Sequence, residues 1–94
     1  MKFEWDEKKN IANKHKHGIS FEEAQTVFDD DFAIYIDDDE HSGNEKRFII
    51  IGVDSFLRKL NVCYCERGEN NEIIRLITAR EANKLEIKLY EEGW

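Results

Sequence analysis

Basic residues are concentrated near the beginning of this chain, in the segment WDEKKNIANKHKHG at residues 5–18. The segment contains four lysines and two histidines, although the formal net charge of the chain is −7. Such a cluster could bind an anion, for example a phosphate, and a histidine could also transfer a proton near neutral pH. Cations in the last turn of a helix are, however, also stabilised by the helix dipole. Two interpretations therefore stay open: an anion site, or a solvated helix face.

Helical spacing divides this cluster into two surfaces, because residues three or four apart share one side of a helix. One surface carries four polar residues: Lys9, Asn13, Lys16 and His17. The other surface carries Ile11, Ala12 and His15. We therefore expect the lysines and His17 to form a cationic stripe, and we expect His15 to be partly buried among its apolar neighbours.

Capping signals position the helices near the N-terminus. Asp6 is suited to be an N-cap and Gly18 to be a stop, which predicts a helix over residues 7–17. Ser20 and Glu23 have the spacing of a capping box, and apolar residues then recur with a helical period. We therefore predict a second, short amphipathic helix that ends at the three consecutive aspartates.

The rest of the chain has strand patterns followed by one more helical pattern. The strand patterns lie at residues 33–36, 47–53, 59–67 and 72–78, and residues 3–5 could add another strand. Short connections favour antiparallel pairing, because parallel neighbours need crossovers of a dozen or more residues. Thr78 and Glu81 repeat the capping-box spacing, so the last helix is predicted to begin there.

These elements predict an α+β fold. Two N-terminal helices and a C-terminal helix would pack on one face of an antiparallel sheet of three to four strands. The composition predicts a single domain over residues 1–94, since 40% of the residues are hydrophobic and no low-complexity tract interrupts the chain.

The composition also bears on the compartment. The longest apolar run, residues 48–53, is too short to span a membrane, and the N-terminus lacks the apolar region of a signal peptide. Cys63 and Cys65 are two residues apart in an extended segment, which is a poor geometry for a disulfide. We therefore expect reduced thiols, a cytoplasmic location and no membrane partner.

Negative charge is concentrated in one part of the chain. Residues 18–45 contain ten acidic residues and no lysine or arginine, whereas the flanking parts carry net charges of +2 and +1. Exposed charges are largely screened beyond about 8 Å at physiological salt, so a basic groove elsewhere could still bind phosphate. The acidic tract at residues 29–40 would then face solvent or a basic partner.

The histidines do not predict a metal site. His15 and His17 would point about 200° apart on a helix and could not chelate one ion. The acidic residues beside His41 lack the register of a calcium-binding EF-hand loop. We therefore predict neither a metal nor another cofactor.

Four features of the sequence carry a resemblance to a known family. They are, in order, FEWDEKKNIANKHKHGISFEEAQTVFDD, GNEKRFIIIG, ERGENNEIIRLITAREA and a tyrosine near the end of the chain. Together they resemble the BrnT family of bacterial toxins over nearly the whole chain. The resemblance implies a RelE-like fold and a metal-independent endoribonuclease that cleaves RNA and inhibits translation and growth. It also implies a separate BrnA-like antitoxin that neutralises the toxin and whose ribbon-helix-helix part binds operator DNA.

The resemblance also directs attention to particular residues. Metal-independent RNA cleavage needs a base for the 2′-hydroxyl, cations for the phosphate and an acid for the leaving oxygen. Arg67, Arg75 and Arg80 would bind phosphate oxygens in a bidentate manner, and Arg80 would lie near the N-terminus of the last helix. Lys9 and Lys16 would bind RNA phosphates. The candidates for proton transfer are His17, Glu66 and Tyr90.

Two alternatives remain at this point. Each arginine could instead form an ion pair with a nearby glutamate, namely Glu66, Glu72 or Glu81. The chain could also be a noncatalytic protein- or RNA-binding module that keeps the fold without nuclease activity, because its net negative charge weakens non-specific RNA binding.

The oligomeric state is a separate question. A homodimer is open, since a domain of this size buries only about 60 to 65% of its unfolded surface.

Overall fold

The chain folds into helices on both sides of a five-stranded sheet, over the residues 1–93 that the computed structural model describes. The strands are β1 (Lys2–Glu4), β2 (Ile34–Asp37), β3 (Arg47–Val53), β4 (Lys59–Arg67) and β5 (Ile73–Glu81). The α-helices are α1 (Glu7–His17), α2 (Phe21–Ala24) and α3 (Lys84–Glu92). Two 3-10 helices cover Gln25–Asp29 and Asp39–His41. No helix in this part of the chain has the length and apolar composition needed to cross a membrane.

The sheet is mixed, with the strand order β1-β5-β4-β3-β2. Strands β2 to β5 pair in an antiparallel manner, whereas β1 is parallel to β5, with Phe3 opposite Ile74. The predicted antiparallel pairing is therefore confirmed for β2 to β5, whereas the prediction of three to four strands is wrong, because β1 adds a fifth strand in the parallel direction. A three-residue strand is too short to show an alternating pattern, and its partner lies some 70 residues further along the chain, so no local signal marks the pairing.

One face of the sheet forms the hydrophobic core with α2 and the 3-10 helix that follows it. The buried residues of this core are Ile19, Phe21, Ala24, Val27, Ile50, Leu60, Val62, Tyr64, Ile74, Leu76 and Ala79. The capping box of Ser20 and Glu23 is present, as predicted. The amphipathic pattern that follows it continues as a 3-10 helix rather than as a longer α-helix.

Helix α1 has the predicted ends but buries a different side. Asp6 accepts a hydrogen bond from the Lys8 amide, and Gly18 ends the helix with a φ of +73°. The buried residues of α1 are Asn10 and Asn13, whereas His15 is exposed and Ile11 is 65% exposed. The expectation that His15 is partly buried is therefore wrong, because polar rather than apolar contacts hold this helix against the rest of the domain.

Asn13 attaches α1 to an open part of the sheet edge. Its Oδ1 accepts a hydrogen bond of 3.0 Å from the Ala79 amide, and its Nδ2 donates to the Ala79 carbonyl at 2.8 Å and to the Ile19 carbonyl at 2.9 Å. Strand β1 pairs with β5 only at residues 73–75, so Asn13 supplies the partners that a neighbouring strand would otherwise supply at Ala79.

Helix α3 begins later than predicted and starts on the other face of the sheet. Its N-cap is Asn83, which forms a capping box with Glu86. Thr78 and Glu81 lie in β5, because the pairing of β5 with β4 extends to Glu81 and overrides the local capping signal. Glu86 accepts a hydrogen bond of 2.7 Å from Asn61, whose side chain lies opposite the core side of β4. The prediction that all helices pack on one face is therefore wrong.

The two cysteines are free thiols, as predicted, and both are buried. Burial raises the pKa of Cys63 to about 11, and a hydrogen bond and the charge of Asp38 act in the same direction. Burial also raises the pKa of Cys65, as does its contact with Glu45. Neither thiol is therefore activated as a thiolate near neutral pH.

Candidate active site

The second face of the sheet carries most of the arginines. Side chains alternate between the two faces of a strand, so residues between the core positions of β3, β4 and β5 point to this face. Four arginines occupy such positions: Arg47, Arg67, Arg75 and Arg80. Helix α3 covers only one end of this face, where Glu86 meets Asn61.

A β-bulge in β5 widens this face. Cys63 lies opposite Thr78, but the next residue of β4, Tyr64, lies opposite Leu76, so Ile77 is the extra residue of the bulge. Leu76 and Ala79 keep their places in the core, with exposures of 1% and 0%. As a result, the consecutive residues Ile77 and Thr78 both line the open face.

Three of the four arginines are bound by carboxylates of the chain itself. The pairs are Arg67 with Glu45, Arg75 with Glu4, and Arg80 with Glu86. The shortest N–O distances are 2.9 Å for the first pair and 2.8 Å for the other two. Ion pairing was the predicted structural alternative for these arginines, but the partners differ from the predicted glutamates.

In the pair of Arg80 and Glu86, the carboxylate also accepts hydrogen bonds from Asn61 and Asn83. Burial opposes the ionisation of Glu86, but hydrogen bonds from Arg80, Asn83 and Asn61 outweigh it and lower its pKa. A bidentate contact with Glu86 raises the pKa of Arg80. Arg80 thus lies near the N-terminus of the last helix, as predicted, but its guanidinium is bound by a carboxylate of the first turn of α3.

A hollow of about 310 Å³ lies where α1 meets the second face of the sheet. Its cationic and imidazole side chains are those of Lys9, Lys16, His17 and Arg47, and Thr78 lies beside them. Within residues 1–93, none of these four basic side chains has a carboxylate oxygen within 4.0 Å. The predicted cationic stripe of α1 therefore exists, and Arg47 from the sheet completes it.

A second hollow of about 350 Å³ adjoins the first and shares Arg47, Ile77 and Thr78 with it. Its other end is formed by Arg80 and Glu86, and its outer rim by the 3-10 helix that carries His41. We call the two adjoining hollows the groove. Arg47 thus lies at the centre of the groove, between the α1 side and the His41 side.

His41 is held by a carboxylate at the rim of the groove. Its Nδ1 lies 2.9 Å from Oδ1 of Asp38 and 3.1 Å from Oδ2. The hydrogen bond and the negative charge of Asp38 raise the pKa of His41. Asp38 is 9% exposed and also accepts a hydrogen bond from the Cys63 thiol at 3.7 Å.

The structure brings some of the predicted site residues together and separates others. Lys9, Lys16 and His17 line one hollow, and Arg80 lines the other. Arg67 and Arg75 lie on the same face of the sheet but line neither hollow.

The other two predicted residues lie away from the groove. Glu66 alternates with Cys65 and Arg67 and is therefore on the core side of β4. The Tyr90 hydroxyl donates a hydrogen bond of 2.7 Å to Asp30. Burial, with a further contribution from Asp30, raises the pKa of Tyr90 to about 12. Catalytic roles for Glu66 and Tyr90 stay predictions.

The sequence interpretation did not select Arg47, His41 or Thr78 as site residues. Arg47 begins a continuous apolar strand, in which no alternation shows which face it takes. Thr78 faces the groove only because of the bulge at Ile77. The three-residue spacing of Asp38 and His41 is a weak signal that could have suggested a carboxylate–imidazole contact on a helical turn.

Metal ligands do not cluster in this region. Within residues 1–93, no group of three or more His, Cys, Asp or Glu side chains is placed to hold a metal ion. The groove instead brings together cationic groups, which could bind an anion, and two imidazoles, which could transfer protons.

Comparisons with known proteins give a family and a related structure. A family model described as "Ribonuclease toxin, BrnT, of type II toxin-antitoxin system" matches residues 5–86. The 1.1 Å crystal structure of the Brucella abortus ribonuclease toxin, BrnT, is similar, with a TM-score of 0.66 and 26% sequence identity. The similarity covers 89% of this chain and 99% of the Brucella chain. No curated protein sequence matches the chain.

Proposed function

We propose, from the premise that the chain belongs to the BrnT family of ribonuclease toxins of type II toxin–antitoxin systems, that it cleaves RNA in the groove without a metal ion. The observation that carries this proposal is the unpaired basic cluster of Lys9, Lys16, His17 and Arg47. Neighbouring like charges repel each other, and an RNA phosphate would relieve that repulsion. This cluster stands out in a chain with a net charge of −7, because the three other arginines of this face are neutralised internally.

The residues of the groove suit the steps of RNA cleavage. Arg47 would bind two phosphate oxygens, and the two lysines would add positive charge as negative charge builds up during the attack. His17 would accept the proton of the 2′-hydroxyl, whose oxygen then attacks the phosphorus. The products would be a 2′,3′-cyclic phosphate and a free 5′-hydroxyl. Loss of cytoplasmic RNA in this way would inhibit translation and growth.

We propose a secondary role for the paired arginines. Arg67, Arg75 and Arg80 would bind phosphates along the RNA on either side of the cleaved bond, each exchanging its carboxylate for a phosphate. Such an exchange replaces one charge-assisted hydrogen bond with another. For Arg67 and Glu45, whose side chains are both 45% exposed, the pair that is lost contributes little to the stability of the fold.

The family also leads to a proposal about partners. We propose that a BrnA-like antitoxin neutralises the toxin by covering the groove, and that the ribbon-helix-helix part of that antitoxin alone contacts operator DNA. A partner bound there would exclude RNA from Arg47 and the lysines. Exposed residues of the acidic tract at residues 29–40, such as Asp29 and Asp31, lie outside the unpaired basic cluster and would contact basic segments of such a partner.

A cleavage assay tests the proposed function. Purified protein is incubated with mixed-sequence RNA in excess EDTA, and the new ends are identified chemically. We expect cleavage with cyclic phosphate ends, and a rate about 100-fold lower for Arg47→Gln, because one cation that stabilises the reacting phosphate is lost.

Two variants control for charge and geometry. Lys8→Gln removes a positive charge from the same helix as Lys16 but outside the groove, and should cleave like the wild type. Arg47→Lys keeps the charge without the bidentate geometry and should be intermediate. RNA binding without cleavage would support the noncatalytic alternative, and cleavage only with added metal would contradict the proposal.

A further inference from the structure

We propose that His41 is the general acid of RNA cleavage, which protonates the 5′-oxygen as it leaves the phosphorus, and that Asp38 is its positioning residue. This inference rests on the proposed function, since it names the second proton-transfer group that the reaction requires. The inference starts from the position of His41 on the rim of the groove that faces away from α1.

Asp38 fixes the imidazole of His41 in one orientation. The short contacts of Asp38 with His41 involve only Nδ1, so this nitrogen donates its hydrogen to the carboxylate and leaves Nε2 for a substrate. The thiol of Cys63 donates to the same carboxylate from the floor of the groove. The carboxylate therefore has partners on two sides, which restricts its rotation and that of the histidine.

The loop that carries His41 is tied to the strand that carries Arg47. The Asp38 amide donates to the Arg47 carbonyl at 3.0 Å. The Arg47 amide donates to Oγ of Ser42 at 2.9 Å, and the Ser42 hydroxyl donates to the Asp38 carbonyl at 2.8 Å. These three hydrogen bonds hold the backbone beside the proposed acid against the backbone of Arg47. Such pre-organisation is what proton transfer to a bound substrate requires.

His17 and His41 line different hollows of the groove, and Arg47 is common to both hollows. His17 lines the hollow beside α1, His41 lines the adjoining hollow, and the two hollows share Arg47 and Thr78. A phosphate held by Arg47 would therefore have an imidazole in each hollow. In-line displacement needs the attacking and the leaving oxygen on opposite sides of the phosphorus, and imidazoles in two adjoining hollows would each serve one of these oxygens.

The charges around His41 favour the protonated form required of an acid. Asp38 and Glu40 raise its pKa, whereas Arg47 lowers it. Across the hollow, Arg80 and Glu86 form an ion pair, so their charges largely cancel at His41.

The proposed step is balanced in bonds and protons. The bond from O2′ to phosphorus forms while the bond from phosphorus to O5′ breaks. His17 takes the proton of the 2′-hydroxyl, and Nε2 of His41 gives its proton to O5′. The two imidazoles thereby exchange protonation states, and solvent restores them after the products leave.

The experiment uses a leaving group that needs no acid. A cleavage site mapped in RNA is rebuilt as a short oligonucleotide, once with the natural 5′-oxygen and once with sulfur at that bridging position. We expect His41→Gln to lower kcat on the oxygen substrate by about 100-fold to 10,000-fold, with little change in KM. On the sulfur substrate we expect it to be within about tenfold of the wild type, because a thiolate leaves without protonation. His15→Gln, an equivalent change at an exposed position outside the groove, should match the wild type on both substrates.

Asp38→Asn tests the positioning role through the pH profile of kcat. Without the Asp38 charge, His41 should lose its proton at lower pH, so the alkaline limb on the oxygen substrate should move to lower pH. An unmoved limb would overturn the role of Asp38.

The possible failures are distinguishable. If His41→Gln is fully active, or loses activity equally on both substrates, the assignment of His41 is overturned while the ribonuclease proposal stands. If the wild type cleaves neither substrate nor the RNA from which they derive, the proposed function fails and this inference fails with it.

Discussion

The polar side chains on the two sides of α1 differ in whether they have bonding partners within the protein. On the side towards the sheet edge, Asn10 and Asn13 are buried and every polar atom of both amides has a partner. On the side towards the groove, Lys9, Lys16 and His17 have no carboxylate partner within residues 1–93. The difference separates polar groups that hold the fold together from polar groups that are available to a ligand.

Replacing Asn13, whose polar atoms all have hydrogen-bond partners, should have the largest effect on stability. Asn13→Ala would leave the amide and carbonyl of Ala79 and the carbonyl of Ile19 without their partner. We expect the free energy of unfolding to fall by about 2 to 4 kcal/mol, measured by urea unfolding. Lys8→Ala, an exposed change on the same helix, should stay within about 0.5 kcal/mol of the wild type. A similar small effect for Asn13→Ala would show that water replaces these hydrogen bonds.

On the groove side of α1, a bound anion should raise the stability of the protein, whereas the loss of one charge should change it little. If the groove binds inorganic phosphate with a Kd of about 5 mM, then about 50 mM phosphate stabilises the fold by about 1.4 kcal/mol. Arg47→Gln should melt near the wild type in chloride but gain much less from phosphate, because the bidentate contact is lost. Melting curves in phosphate and in chloride of equal ionic strength measure this. Equal phosphate stabilisation in both proteins would place the anion site elsewhere.

Replacing Glu86, the hydrogen-bonded carboxylate at the end of the groove, should have a smaller effect on stability that depends on pH. The pKa of Glu86 is lowered from its ordinary value of 4.5, so its charged form stabilises the folded protein above that pH. This stabilisation is lost as the pH falls through the lowered pKa. We therefore expect Glu86→Gln to be less stable than the wild type at about pH 6 and closer to it at about pH 3.

The matched control for this prediction is Glu91→Gln, an exposed change on the same helix. Its difference from the wild type should be small and nearly independent of pH. A stability difference for Glu86→Gln that stays constant between the two pH values would contradict the prediction.

Local signals predicted the elements better than they predicted the contacts between them. The ends of α1 and the capping box at Ser20 were confirmed because each depends on residues within one or two turns. The Thr78 signal failed because strand pairing with β4 competes with it and wins. Apolar periodicity does not predict the polar attachment of α1, because it assigns no burial to asparagine.

The part of the candidate site that lies within one helix was predicted, because local spacing determines it. The cationic stripe of Lys9, Lys16 and His17 follows from helical spacing alone. The partners of Arg75 and Arg67 could not be predicted, since Glu4 and Glu45 lie 71 and 22 residues from them. Arg47 and His41 come from a strand and a loop whose approach to α1 depends on the strand order.

The sequence by itself determined the α+β class, the ends of α1 and the resemblance to the BrnT family, because these are carried by local patterns and by the order of motifs along the chain. The tertiary structure alone decided which side of α1 is buried and which arginines are neutralised. It also placed His41 and Arg47 together in one groove with the α1 cations. The physical reason is that these contacts join residues far apart in the chain, through strand order, register and the bulge at Ile77.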